Sequence, residues 1–248
     1  MIATTIEQRV AQFKQNIFMK LHHRTLLEYT GQPVVSDDEL FYLLLPALNG
    51  ERWSDKQELA AIGVAINLAA LNTHELIEEF DATSKAQQLA VLAGDLYSGA
   101  YYATLAEVGD VLLIRTITEA VATISEEKTK LYENAQQTMD VWLQMLTTIE
   151  SDSIRHFFKH YHLEQYIPFA ENGLLLNRLA EELAALSKGE TTLFYKALAT
   201  HHDDVEALLR QAQEMLATTY ENVVSTSPLV HDDVKEWIVS RIHELKTN

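Results

Sequence analysis

The residues His74, Glu75 and Glu78 form the group whose types and spacing most directly suggest chemistry. Residues four apart in a helix share one face, so the His74 imidazole and the Glu78 carboxylate would point the same way. One imidazole and one or two carboxylates could hold a divalent cation. The segment resembles the zinc-protease pattern His-Glu-x-x-His but lacks its second histidine. A polar edge beside a buried helix stripe explains the same residues, and the sequence alone favours this second interpretation.

Three pairs of adjacent aspartates are a further set of candidate metal ligands. Each pair lies where a helix is predicted to begin, and carboxylates there are stabilised by the helix dipole by roughly 0.3–1 kcal/mol each. We therefore interpret them as helix-capping residues. The pairs are Asp37-Asp38, Asp203-Asp204 and Asp232-Asp233. The histidine pairs His22-His23 and His201-His202 have no third ligand at metal-binding spacing, so we expect them at the surface.

The composition limits the classes of protein to which the chain can belong. Its 248 residues include 19 Lys plus Arg against 36 Asp plus Glu, a formal charge of −17. This balance argues against a nucleic-acid-binding protein, because affinity for phosphate backbones comes mainly from clustered cations. The absence of cysteine excludes disulfides, cysteine–zinc sites and thiol nucleophiles. With 8 Gly and 4 Pro, the chain has few helix breakers, which favours long helices over β-sandwiches or Gly-rich phosphate loops.

Capping patterns and apolar periodicity predict where the helices must lie. Ser36 begins a Ser-x-x-Glu capping box, and Ser54 offers a cap for the next helix. Apolar side chains recur at helical spacing over residues 59–77, which predicts one buried stripe. Residues 86–106 are apolar nearly all round, which predicts a helix buried on several sides. No segment has the pattern of a strand.

The chain is predicted to form one all-α domain, a large helical bundle over residues 1–248 with residues 1–35 as a peripheral N-terminal helix region. Residues 89–106 carry Asp95 as their one charge, so a membrane span has to be considered. A charge near mid-span would cost roughly 2.5–3.5 kcal/mol, and the sequence has no equally apolar second span. The N-terminus has no secretory signal pattern. We expect a soluble cytoplasmic protein without a transmembrane segment.

The segment 88–106 combines many small residues with Tyr97, Tyr101 and Tyr102. Small residues let a second helix approach closely, and tyrosines add a large contact area with a polar tip. Two interpretations follow, a central core helix or a helix that also forms a subunit interface. Periodicity does not separate them.

At this segment the sequence resembles the trans-prenyl diphosphate synthases, and more closely component I, the small non-catalytic subunit of two-component heptaprenyl diphosphate synthases. The resemblance covers most of the chain from about residue 55 onward. Its most specific part is residues 88–102, which contain the segment Leu-Ala-Gly-Asp at residues 92–95. Further matching segments lie before and after it in the family's order. They are residues 70–75, 114–116, 125–132 and 188–193.

The departures from the catalytic members of that family concern their metal site. Those members carry two Asp-Asp-x-x-Asp clusters that bind magnesium ions bridging the substrate diphosphates. Aligned on the family, the first cluster falls on residues 74–78, which lack both leading aspartates, and the second falls near residues 171–178, which contain none. Between residues 57 and 114, Lys85 is the one Lys or Arg. Diphosphate ionisation requires carboxylate-bound magnesium and cationic donors. We expect the chain alone to be inactive and to bind no cofactor itself.

The resemblance implies a regulatory subunit of a heterodimeric enzyme. The catalytic large subunit, component II, would hold the Mg²⁺ and condense isopentenyl diphosphate with farnesyl diphosphate, and the product would supply the menaquinone side chain. This chain would complete the partner's fold and help set product length, with the prenyl diphosphate chain near the interface. The predicted interface and tunnel residues are Leu92, Asp95, Leu96, Tyr97, Ser98, Tyr101 and Tyr102.

Two alternatives stay open on the sequence. The chain could be a divergent stand-alone prenyl or terpene synthase that uses His74, Glu75 and Glu78 with magnesium. It could also be a helical adaptor unrelated to prenyl chemistry. Asp95 likewise has two interpretations, an interface residue or a buried structural acceptor.

Overall fold

The computed structural model describes residues 3–76, 84–133 and 136–247. Every regular element in these ranges is helical, which confirms the predicted all-α class. A short 3-10 helix, Glu164–Tyr166, precedes the eighth α-helix. The α-helices are α1 (Ala3–Lys20), α2 (Arg24–Thr30), α3 (Asp37–Leu48), α4 (Asp55–Glu75), α5 (Lys85–Val108), α6 (Val111–Lys130), α7 (Met139–His160), α8 (Ile167–Ser187), α9 (Leu193–Ala199), α10 (Val205–Thr226) and α11 (Asp232–Thr247).

The predicted capping residues lie at helix starts. The Ser36 hydroxyl accepts a hydrogen bond from the Glu39 backbone N–H at the start of α3. Ser54 and Gln57 form a reciprocal capping box on α4. Asp204 caps α10, and Asp232 begins α11. Side chains that accept the unpaired N–H groups of a first turn stabilise a helix by about 1 kcal/mol each. All three aspartate pairs therefore lie at helix starts, as predicted, and Asp204 is shown to cap its helix directly.

Backbone contacts divide the chain into two compact units. Unit 1 comprises Met1–Thr118 and Lys159–His162, and unit 2 comprises Glu119–Phe158 and Leu163–Asn248. The single domain over residues 1–248 stays a prediction.

Helix α4 is the centre of unit 1. Its middle, from Ala60 to Ala70, is buried, and α1, α3 and α5 all pack against it. The contact with α5 is the most extensive in the unit and is close, because an added Cβ on Gly63 would lie 2.5 Å from Leu105 Cδ2. The absence of a side chain on Gly63 therefore leaves room for the Leu105 side chain of α5 to pack against α4.

Helix α8 is the centre of unit 2, where α10 and α11 pack against it. The apolar core beside it includes Trp142 and Phe194, whose rings meet edge to face at a centroid distance of 5.9 Å. Such aromatic pairs stabilise a core by about 0.5–1.5 kcal/mol beyond their area burial.

One prediction about α5 is wrong. The helix is not buried on several sides, because its buried residues, Tyr97 and Leu105 among them, lie on one face. On the opposite face the exposed fractions are 56% for Leu92, 44% for Leu96 and 41% for Tyr102. Apolar composition all round the helix therefore reflects one packed face and one open apolar face. No helix within the described ranges is long and apolar enough to cross a membrane.

Candidate functional site

His74 lies at the C-terminal end of α4 and packs against α5. A Cβ added to Gly94 would lie 2.6 Å from Nε2 and 2.8 Å from Nδ1 of the His74 ring, far inside van der Waals contact. The imidazole therefore occupies the space that the missing glycine side chain leaves open. Glu75 is exposed, and Glu78 lies outside the described residues. The neighbouring Asn72 donates its amide to both carboxylate oxygens of Glu39, at 3.2 and 3.0 Å.

The described residues around His74 do not fit a magnesium–diphosphate site. Over residues 3–76, 84–133 and 136–247, no three His, Asp or Glu side chains come close enough together to hold a metal ion. Magnesium prefers several carboxylate oxygens, whereas His74 is engaged in packing and Glu39 is bound by Asn72. The Mg²⁺ expected in a catalytic partner stays a prediction.

The packing of His74 on Gly94 makes a testable prediction. Gly94→Ala should lower the free energy of unfolding by about 1–3 kcal/mol relative to Gly99→Ala, because the new methyl group displaces the imidazole. Gly99 lies on the same helix with nothing within 4 Å of an added Cβ, so its substitution should stabilise by about 0.5–1 kcal/mol. Urea unfolding of both variants measures the difference.

A double variant, His74→Ala with Gly94→Ala, serves as the control for this contact and should recover most of the loss. If Gly94→Ala were as stable as Gly99→Ala, the His74 imidazole would move freely, and it would remain available to bind a metal ion.

Arg178 and Asn177, in the segment 171–178 where the family's second Asp-rich cluster was expected to fall, make contacts within unit 2. Arg178, on α8, places its guanidinium 3.1 Å from a Glu150 oxygen and 2.9 Å from a Glu182 oxygen. Glu182 is 1% exposed, and its second oxygen accepts a hydrogen bond from the hydroxyl of Thr192. Asn177 donates to the Glu181 carboxylate at 2.9 Å. The segment on which the second Asp-rich cluster was expected to fall thus contributes Arg178 to a buried ion pair.

Sequence reasoning missed the Arg178–Glu182 pair. The spacing of four residues between an arginine and a glutamate was visible, and it favours an ion pair on one helix face. Nothing in the spacing indicates that Glu182 is buried, nor that Glu150 and Thr192 complete its surroundings.

The seven predicted interface residues divide into three groups on α5. Leu92, Asp95, Leu96 and Tyr102 are exposed, Ser98 is half-buried, and Tyr97 and Tyr101 are buried. Asp95 is therefore not a buried acceptor. We call the open side of the helix the α5 outer face. Its exposed residues are Val91, Leu92, Asp95, Leu96, Gly99, Tyr102, Ala103 and Ala106.

The tyrosines anchor the α5 outer face to the core of unit 1. Tyr101 and Tyr102 stack with ring centroids 4.2 Å apart, and the hydroxyl of Tyr102 lies 3.3 Å from that of Thr118 on α6. Burial raises the pKa of Tyr97, and burial together with the neighbouring Tyr102 raises that of Tyr101. Both buried phenols therefore stay neutral at physiological pH. Tyr102 is held in a fixed orientation on the open side of the helix.

The overall architecture matches a solved prenyl synthase structure. A crystal structure of heptaprenyl diphosphate synthase from Staphylococcus aureus superposes with a TM-score of 0.70 at 11% identity, covering 98% of both chains. At this identity the match establishes the fold, an all-α bundle of the prenyl-synthase type.

Sequence comparison is more specific. The family model for heptaprenyl diphosphate synthase subunit 1 matches residues 23–227, a range that begins further towards the N-terminus than the predicted resemblance. Component 1 of heptaprenyl diphosphate synthase from Geobacillus stearothermophilus is 37% identical over 138 residues. That alignment spans 55% of this chain and 63% of the relative. The chain belongs to the heptaprenyl diphosphate synthase subunit 1 family.

Proposed function

We propose that this chain is the non-catalytic subunit of a two-component heptaprenyl diphosphate synthase. In this proposal the catalytic component condenses isopentenyl diphosphate with farnesyl diphosphate, using its own Mg²⁺, in the cytoplasm. The present chain supports that reaction through association and helps set product length. The product supplies the menaquinone side chain. The observation that carries the proposal is the open apolar α5 outer face in a chain of the subunit 1 family.

The distribution of charge supports a non-catalytic role. A departing diphosphate needs cationic donors and bound metal to stabilise its charge. Lys85, the one cation between residues 57 and 114, places its Nζ 3.8 Å from the centre of the Tyr29 ring. This cation–π contact on the helix pair α2 and α5 gives Lys85 a packing role. Glu39 and Glu182 are likewise engaged in structural contacts, with Asn72 and Arg178 respectively.

The α5 outer face supports association with a partner. Isolated apolar side chains are common on protein surfaces, whereas a contiguous apolar patch marks an interaction site. Leu92, Leu96 and Tyr102 lie on one side of a helix whose small residues, Gly99 among them, leave room for a close approach. Burying a Leu side chain stabilises an interface by roughly 1.5–3 kcal/mol before the entropic cost of association. In the proposed complex, this face covers the partner's helices and borders the tunnel for the growing chain.

Reconstitution tests the proposal. Purified chain, purified catalytic component from the same organism, and their mixture are each incubated with farnesyl diphosphate, isopentenyl diphosphate and Mg²⁺, and the products are separated by chain length. We expect heptaprenyl diphosphate from the mixture and no product from this chain alone. Turnover by this chain alone would support the stand-alone synthase instead. Failure to bind the catalytic component would support the unrelated adaptor.

Glu75 provides a prediction about the degenerate first cluster. Glu75→Gln should change the activity of the reconstituted enzyme by less than about twofold, because a residue without a role in the transition state leaves kcat/KM unchanged. Glu58→Gln, another exposed glutamate on α4, is the matched control. Steady-state kinetics of the two mixtures measures the effect. A loss of about a hundredfold for Glu75→Gln alone would assign it a catalytic role.

A further inference from the structure

Asp95 is the one carboxylate among the exposed residues that define the α5 outer face. Its helical neighbours three and four positions away are Val91, Leu92, Ser98 and Gly99, so no cation lies within one turn of it on its own helix. Gly99, one turn further on, has nothing within 4 Å of an added Cβ. The carboxylate is therefore surrounded by apolar and small side chains on an open surface.

The fold of this chain does not use the Asp95 carboxylate. Asp95 is exposed, and it takes part in no hydrogen bond or ion pair with any residue in the part of the chain that the structure describes. It also lies in the interior of α5, ten residues after the helix begins at Lys85, where an aspartate neither caps the helix nor favours it. A charge in this position is consistent with a role outside the chain itself.

Covering the α5 outer face would bury that charge. Removing a carboxylate from water without a partner is costly, whereas a carboxylate that meets an arginine or lysine in hydrogen-bonding geometry recovers much of the cost. The opening beside Gly99 allows a long cationic side chain or the helix that carries it to approach closely. Because this chain has a net charge of −17, a partner surface that is basic, or at least less acidic, is favoured.

We propose that the partner surface covering the α5 outer face presents an arginine or lysine to Asp95, and that this ion pair fixes the register of the two subunits. The inference rests on the proposed function and adds the chemistry of the partner at one position. Leu92 and Leu96 supply apolar contact on either side of the pair, which excludes water from it.

Binding measurements with charge-removing variants test the proposal. The affinity of this chain for the purified catalytic component is measured by calorimetry at low and high salt. Asp95→Asn and Asp95→Leu should each weaken binding by about 10–100-fold at low salt, because the paired cation is left buried and unpartnered. The salt dependence of the affinity should decrease, because the ion pair is lost. The controls are Glu214→Gln and Glu214→Leu, at an exposed acid on α10, and they should bind as the wild type does.

The outcomes distinguish this inference from the proposed function. If the wild type binds and Asp95→Leu binds as tightly or more tightly, the contact is purely apolar, and the ion pair is excluded while the proposed function stands. If the wild type itself does not bind the catalytic component, both are overturned. Circular dichroism of each variant verifies the helical fold, which an exposed position should leave intact.

Discussion

Arg178→Met is expected to lower the free energy of unfolding by about 3–5 kcal/mol, the usual effect of removing one partner from a buried ion pair. The guanidinium contacts Glu182, which is almost fully buried on α8, and Glu150 on α7. Methionine replaces the volume of the side chain but leaves two carboxylates without their shared cation. Urea unfolding of the purified chain measures the loss.

Arg210→Met is the matched control for this prediction. Arg210 pairs with Glu206 at the same spacing of four residues, but both side chains are largely exposed. A surface pair of this kind contributes about 0.3–0.5 kcal/mol. If Arg178→Met cost no more than Arg210→Met, the buried ion pair would not stabilise the fold more than an exposed one does.

Helix starts could be predicted because their signals are local. Ser36 and Ser54 accept hydrogen bonds from backbone N–H groups three residues away, so the sequence contains both partners of each cap. The same applies to Asp204, whose carboxylate binds the N–H of Ala207. The positions of the aspartate pairs at predicted helix starts favoured a structural role over metal binding without any knowledge of tertiary contacts.

The exposure of α5 could not be predicted in the same way. A core helix and a docking helix both need small and apolar side chains, so the composition of residues 86–106 fits either role. Only the placement of α4 decides which side is packed, as the contact of Gly63 with Leu105 shows. Tyr101 and Tyr102 are adjacent and identical in type, yet one is buried and the other exposed.

The contacts of the degenerate clusters were also beyond sequence reasoning. His74 packs on Gly94, twenty residues further along the chain, and the sequence gives no reason to pair them. Glu182 accepts a hydrogen bond from Thr192 at the start of the next helix, which depends on how α9 folds back. In the segments where the two Asp-rich clusters were expected to fall, His74 is engaged in packing and Arg178 in ion pairs.

Leu96→Asp is expected to weaken binding of the catalytic component by about a hundredfold, a change of roughly 3 kcal/mol. The substitution removes apolar contact from the α5 outer face and adds a second carboxylate beside Asp95, which the interface would have to desolvate. Activity of the reconstituted enzyme at limiting concentrations should fall in parallel and recover when this chain is added in excess. Calorimetry gives the affinity, and product analysis at several subunit ratios gives the recovery.

Met215→Asp is the control for Leu96→Asp, because it introduces the same charge at an exposed apolar residue of α10, which is not part of the α5 outer face. It should leave affinity within about twofold of the wild type, since a substitution outside an interface does not change its free energy. Both variants should unfold at similar urea concentrations, because each position is exposed on a helix. Equal losses of affinity in the two variants would mean that added negative charge weakens association generally, and the docking surface would then have to be sought elsewhere than on α5.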